Sequence, residues 1–263
     1  MESRRSFDVI GSIAIIEVPY GLPRKDAAAY EKNAGQLILA AHKNVKTVVA
    51  RTGAHTGVFR LQRLKHLAGE KTKETTHKEN GVMLKLDVGK VYFSPRLSGE
   101  RLRVAGQVKP GEKILVMFSG CGPYPLVIAR NSKAAEIVGV EINPAAHKYA
   151  MENAKLNKIT NVRLLKGDAG KTVPRLKGKF DRIVMPLPKG AEEFLATAIK
   201  AARKGAVIHY YDFLPENDIP KASNKKIKDA CLKAGRKARI LNVVKCGQLA
   251  PRAYRVCVDF RVD

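Results

Sequence analysis

From about Lys113 onward, short β-branched runs alternate with stretches of helical period, which is how a mostly parallel sheet with crossover helices reads. The runs are KILVMF, EIVGVEI, NVRLLK, FDRIVMP and GAVIHYYDF. Between the second and third lies PAAHKYAMENAKLNK, with Pro144 suited to a first helical position and Asn143 to the cap before it. Two further alternations, ARILNVVKC and AYRVCVDFRV, follow with no room for a helix between them, so they pair antiparallel. The pattern predicts a doubly wound, Rossmann-like sheet of seven strands with a reversed last strand.

Upstream the pattern changes. IGSIAIIEV, KTVVAR, GVMLKLDV and KVYFS read as strands, and DAAAYEKNAGQLILAAHKN as a helix with Leu37, Ile38 and Ala41 on a common face. The polar GEKTKETTHKENG is a loop or hairpin connection. A small α+β domain over residues 1–100 therefore precedes an α/β domain over 101–263. No window offers the roughly 20 uncharged apolar residues of a membrane helix, and the start carries no cleavable leader pattern, so the expectation is a cytoplasmic protein.

Charge adds a partner. The 263 residues hold 49 Lys+Arg against 24 Asp+Glu, a net charge of +25, spread over Arg51–Lys78, Lys225–Lys228 and Lys233–Lys245 rather than in one tail. A folded electropositive surface of this kind favours a polyanion, nucleic acid first, although adaptation to heat or salt also enriches surface lysine. Trp is absent and aromatic residues make up only 6%, which argues against a broad base-stacking platform. Cys121, Cys231, Cys246 and Cys257 show no CxxC spacing, so neither a zinc site nor a disulfide framework is expected.

Candidate chemistry gathers at strand ends. KILVMF runs into SGCGPY, which puts Gly120 and Gly122 at the carboxyl end of the first sheet strand. Glu141 ends the next strand 21 residues after Gly120, where a carboxylate grips a ribose diol. That arrangement serves nicotinamide cofactors and S-adenosylmethionine alike, but a third glycine would fall at Pro125, which denies a pyrophosphate its close helix approach. Asp168, after the third strand, can accept from an adenine amino group or cap a helix. His209, Tyr210 and Tyr211 end a strand near the same crevice and read equally well as packing residues.

Taken together, VYFSPRLSGER, MFSGCGPY, VEINP, MPLPKGAEEFL and IHYYDF resemble the archaeal and eukaryotic tRNA methyltransferases that modify N1 of guanosine 37, just 3′ of the anticodon. They also resemble the related wybutosine-pathway aminocarboxypropyltransferase. The likeness runs from about residue 8 to the C-terminus. It implies a class I methyltransferase domain that uses S-adenosylmethionine and no metal, with tRNA as partner. The resemblance places Ser94 and Arg101 at the cofactor's methionine end, Glu141 at its ribose and Asp168 with Ala169 at its adenine; Phe118, Gly120, Gly122 and Ile142 complete the cofactor set. Arg96 is the expected catalytic residue, because methylation of N1 pushes negative charge onto O6 and a guanidinium there stabilises it. The aminocarboxypropyl branch loses that arginine, and GPY also matches the methyltransferase side. Glu100 and Glu136 are candidate proton acceptors only.

Three departures stand out. Val116 replaces an Asp usual in the first strand; Pro186, Leu187 and Pro188 replace Asn-Leu-Pro, leaving base positioning to carbonyls around Met185 and Pro186; and at 263 residues the further N-terminal tRNA-gripping domain of many relatives is not expected. Arg60, Arg63, Lys65 and Lys225–Lys228 are expected to meet phosphates instead. Methylation of a tricyclic wyosine intermediate, the aminocarboxypropyl reaction and a catalytically inactive RNA-binding module remain the alternatives.

Overall fold

The computed structural model describes residues 7–17, 24–53 and 56–263, the side chains of 24–28 excepted. Six residues at the start, part of the stretch read as lacking a leader, lie outside the described residues, as does Val18 at the end of IGSIAIIEV. Two compact units emerge: one runs to Glu79 and resumes over Met83–Pro95, and the other comprises Asn80–Val82 and Arg96–Asp263.

In the first unit β1 (Asp8–Ile10) and β2 (Ile13–Glu17) form a hairpin, α1 (Arg24–Ala41) crosses over, β3 (Thr47–Arg51) pairs parallel to β2, and β4 (Leu64–Gly69) returns antiparallel. A separate two-stranded sheet joins β5 (Glu74–Glu79) to β6 (Val82–Asp87). The apolar run IGSIAIIEV is thus two strands, because Gly11 turns at φ +56. A Cβ at Gly11 would sit 2.2 Å from Thr75 Oγ1 and 2.5 Å from the Thr76 carbonyl oxygen. Gly11→Ala is therefore expected to cost roughly 2 kcal/mol or more, read from urea unfolding, since both the conformation and the space exclude a side chain.

Two local readings are corrected. KVYFS is not a strand: Asp87 accepts from the Gly89 amide through Oδ1 and from the Lys90 and Val91 amides through its carbonyl, which folds the chain into a turn. On α1 the buried stripe is Glu31, Ala34, Gly35 and Ile38, packed on Ala14, Ile16, Val48 and Ala50. Leu37 is 62% exposed and Ala41 is exposed, so the apolar face lies one position round from the expected one.

The second unit's long segment opens inside a 3-10 turn, Pro95–Leu97, and continues into α2 (Ser98–Gly106). Then follow β7 (Lys113–Met117), α3 (Pro123–Asn131), β8 (Glu136–Glu141), α4 (Pro144–Leu156), β9 (Val162–Lys166), α5 (Ala169–Thr172), β10 (Phe180–Met185), α6 (Leu195–Ala201), β11 (Ala202–Pro215), α7 (Lys221–Lys233), β12 (Ala238–Ala250) and β13 (Ala253–Val262). Their sheet order is β12-β13-β11-β10-β7-β8-β9, with β13 antiparallel to both neighbours, so the seven-stranded sheet with a reversed last strand is present. Asn143 caps α4 through Oδ1, which accepts from the Ala145 and Ala146 amides. Leu115, Met117, Val138, Val140, Ile208, Tyr210, Val258 and Phe260 bury one sheet face against α5, α6 and α7. Alternation sends Val116, Gly139, His209, Tyr211 and Asp259 to the other face. Among the described residues no helix is long and apolar enough to cross a membrane.

Candidate functional site

The turn after β7 is built from left-handed residues. Phe118 and Gly120 both sit at φ 60 and Gly122 at φ 91, and Pro123 then opens α3. Phe118 has no glycine's freedom, so its conformation is held by neighbours: its ring packs edge-on against Phe194 at 4.9 Å, and the next amide, Ser119, donates to the Val140 carbonyl. Gly139 makes the fit possible, since a Cβ there would stand 2.8 Å from Leu164 and 3.1 Å from Ser119 Oγ.

Glu141 closes the turn from the neighbouring strand. Its Oε2 accepts from the Gly120 amide and its Oε1 from the Asn143 amide, each at 2.7 Å. The carboxylate is 8% exposed, and burial raises its pKa above the ordinary glutamate range although these amide bonds pull the other way. The next residue, Ile142, is 37% exposed, an uncovered apolar side chain. Asp168 lies at the end of the adjacent strand and caps α5, its Oδ1 accepting from the Lys171 amide at 3.1 Å, while Ala169 is buried. Phe194 completes this wall, within 3.5 Å of where a Gly170 Cβ would stand. Sequence reasoning missed Phe194, which shows no signal beyond its place in AEEFL after MPLP.

Arg96 is exposed in the 3-10 turn ahead of α2, and Arg101, inside α2, is 2% exposed. Ser94 belongs to the first unit's last segment. What holds α2 is a buried polar chain that runs across the sheet. The Tyr124 hydroxyl donates to the Tyr211 hydroxyl (2.8 Å), which donates to Glu100 (2.6 Å). Glu100 takes two bonds from Arg103, which also reaches Asp259 at 2.6 Å. Asp259 accepts from His209 Nδ1 at 2.6 Å, and Arg182 meets His209 Nε2 at 2.8 Å before ending on Glu112. Burial pushes both tyrosine hydroxyls well above their ordinary pKa, so they remain donors. A guanidinium can only donate, which leaves His209 Nε2 unprotonated and the ring neutral, in line with a pKa lowered by burial. His209 and Tyr211 are thus structural links. Glu100 is committed to Arg103 and Tyr211, and Glu136 sits at the amino end of β8 near Lys113 and Arg163, away from the glycine turn. Of the two candidate acceptors, Glu100 is thus the one in the helix that follows Arg96.

His209, Cys257 and Asp259 converge as three potential metal ligands, but Arg182 and Arg103 already donate into that group, so its lone pairs face cations. In the segment that ends β10, the Met185 side chain is core, and its carbonyl already accepts from the Leu187 amide at 2.7 Å. Pro188 is buried, and Pro186 and Leu187 are half-buried beyond it. The expected phosphate set divides. Arg63, Lys225 and Lys228 are exposed, and Arg60 is half-buried at φ 53. Lys65, exposed, is paired with Glu31, and half-buried Lys226 with Asp212.

The TRM5/TYW2 methyltransferase domain matches residues 75–241, and the TYW2 N-terminal domain matches 1–72. The tRNA (guanine(37)-N(1))-methyltransferase Trm5b of Pyrococcus abyssi is 44% identical over 98% of this chain and 75% of its own; its crystal structure superposes with a TM-score of 0.88. The tRNA 4-demethylwyosine(37)-methyltransferase Taw21 of Saccharolobus solfataricus is 35% identical, over 98% of this chain and 94% of its own. The complex of aTrm5 and tRNALeu is similar at 32% identity and a TM-score of 0.85, over 98% of this chain and 72% of that one. Methanocaldococcus jannaschii TYW2 with AdoMet is similar at 26% and 0.75, over 98% and 99%. With most of its length matched by the family domain and by full-length relatives, the chain belongs to the TRM5/TYW2 methyltransferase family.

Proposed function

We propose that this chain is an S-adenosylmethionine-dependent tRNA methyltransferase acting on N1 of guanosine 37. The observation that carries the reading is Arg96, exposed at the head of a helix that Glu100 ties through Tyr211 to Tyr124 of the glycine-turn helix. A relative 44% identical carries that activity in its name.

The crevice fits the cofactor. Glu141 is oriented by two amides toward a ribose diol, Ile142 is left uncovered for an adenine face, and Asp168 with Ala169 stands at the adenine edge. Phe118, Gly120 and Gly122 shape the floor, and Ser94 and Arg101 serve the methionine end. Adenosylmethionine supplies an electrophilic methyl group on its sulfonium. The chain's own work is to set the guanine N1 in line, to accept the proton N1 gives up as it takes the methyl group, with Glu100 the candidate acceptor beside Arg96 in sequence, to hold the Arg96 guanidinium at O6 as charge develops there, and to keep water out with the Phe118 and Phe194 rings. Main-chain groups at Met185 and Pro186, flanked by Leu187 and Pro188, position the base. Arg60, Arg63, Lys225 and Lys228 take phosphates, the small N-terminal and larger C-terminal domains act together on tRNA, and the protein works in the cytoplasm.

The test is incubation with methyl-labelled adenosylmethionine and an unmodified tRNA transcript, followed by nucleoside mass analysis. Methylated guanosine supports the reading; the absence of cofactor binding moves it to an inactive RNA-binding module. Glu141→Gln is expected to weaken adenosylmethionine binding at least ten-fold by equilibrium dialysis, since a charge-assisted bond to the ribose is lost.

Pro186 favours a second substrate. Without an amide side chain at this position the pocket admits a base with a different edge, and Taw21, similar over 94% of its length, acts on 4-demethylwyosine. Offering both tRNAs to one preparation decides between them. Pro186→Asn is expected to raise the preference for guanosine several-fold, and an unchanged ratio removes Pro186 from substrate choice. Arg96 and Tyr124 disfavour the aminocarboxypropyl reaction.

A further inference from the structure

The sheet does not end level at the crevice. Met185 on β10 lies beside Tyr210 on β11, yet β11 continues for five more residues to Pro215. β13 and β12 accompany it, with Pro215 opposite Ala253 and Ala253 opposite Ala250. A three-stranded ribbon therefore stands roughly 16 Å beyond the crevice floor. One side is braced: Ser223 and Lys226 of α7 bond to Asp212, Lys245 bonds to Glu216 and lies over the Tyr254 ring, and the Glu216 amide donates to the Arg252 carbonyl. The other side is the face that carries Tyr211, where Glu100 anchors α2 just behind Arg96. Two residues further out, Phe213 and Arg255 are direct cross-strand partners, both half-buried, with the guanidinium 5.2 Å from the ring centroid.

We infer that this face of the ribbon is a contact surface for the unpaired nucleotides flanking the target guanosine, with Arg255 as its specificity-determining residue. The inference rests on the tRNA reading above. A guanidinium laid on an aromatic ring is pre-oriented: its edge meets a phosphate and its outer face accepts a base, which suits a splayed single strand rather than a duplex. Charge favours an anionic occupant, since the chain carries +25 and exposed Arg252 stands at the tip. The face lies past the end of β10, on the sheet side where Tyr211 bonds to the helix that follows Arg96, so the nucleotides next to a base held at Arg96 reach it.

Binding by fluorescence anisotropy separates this from the activity. Arg255→Glu is expected to weaken binding of an anticodon stem-loop at least ten-fold, to lower the salt slope by about one, and to leave binding of a blunt duplex of the same stem within two-fold. Arg255→Lys, which keeps the charge but not the planar stack, should fall between. Arg252→Glu, at the exposed tip, should shift the same way by less, and it decides the matter if Arg255→Glu fails to fold. Equal losses for loop and duplex, or no loss for either, overturn the inference. Wild-type protein that binds the loop selectively yet transfers no methyl group defeats the proposed activity and leaves this surface standing.

Discussion

Arg96→Ala is expected to lower methyl transfer to tRNA by roughly 10²–10³-fold while leaving adenosylmethionine affinity within about two-fold. Loss of the N1 proton, which accompanies methyl transfer, places negative charge on O6, and a donor fixed at that oxygen acts far more strongly in the transition state than on the neutral base. Fixing it is the task of the segment around Arg96. The side chain leaves a 3-10 turn whose Leu97 is buried, and the helix that follows is locked within its first turn by Glu100, held by Arg103 and Tyr211. The guanidinium thus starts from a rigid base and needs little ordering on binding. If the effect lies in the transition state, kcat and kcat/KM fall together; if Arg96 only meets a phosphate, KM rises and kcat holds. Arg96→Lys separates charge from geometry, because an ammonium cannot reproduce the planar fork, and should recover only part of the loss. A KM-only effect in both variants would remove Arg96 from the chemistry.

How much of this was legible follows from what kind of force placed each part. The C-terminal sheet was readable because each of its strands is an apolar run bounded by turn residues, and because Asn143 before Pro144 is a local cap written in adjacent letters. The glycine turn and Glu141 were readable for the same reason: their chemistry depends on spacing along the chain. The first unit was harder. Gly11 breaks an unbroken apolar run only because Thr75, 64 residues later, leaves no room for a straight course, and β4 (LKHLAG) carries too mixed a pattern to announce itself. The rotation of α1 that exposes Leu37 and buries Glu31 is set by packing on β2 and β3 rather than by its own periodicity. Least visible was the polar chain from Tyr124 to Glu112, whose members are drawn from five separate elements and a loop. The ion pair of Glu100 with Arg103 could be read three residues apart, but its bond from Tyr211 and the onward bond from Arg103 to Asp259 could not, because those partners lie more than a hundred residues away.

That brace sets the second large effect, on stability. Asp259 is 1% exposed and accepts from Arg103, His209 and Gln107. Asp259→Ala removes the anion and leaves Arg103 half-compensated and the His209 Nδ1–H without its acceptor, both inside the unit. Breaking one partner out of a buried charged network costs about 3–5 kcal/mol, far more than the intact pair contributes over an apolar replacement. For a unit of this size that corresponds to a fall in Tm of roughly 10 °C, measured by circular dichroism. The pH dependence supplies an independent check. Burial alone would raise the Asp259 pKa, but the bonds from His209 and Arg103 override it and hold the carboxyl far below the ordinary aspartate range. Burial also lowers the pKa of His209. Both groups bind fewer protons folded than unfolded, so both make stability fall as pH falls: His209 below its unfolded value of about 6.5, Asp259 below about 4. Wild-type protein should therefore lose Tm in two stages on acidification. Asp259→Ala should start lower at pH 7 and lack the second, more acidic stage. Asp259→Asn, which keeps the shape and one acceptor, should lack it too while losing less at pH 7. A variant whose Tm follows the wild-type curve in parallel down to pH 3 would show that some other carboxylate carries the acid sensitivity, and that the network holding α2 beneath Arg96 does not depend on this charge.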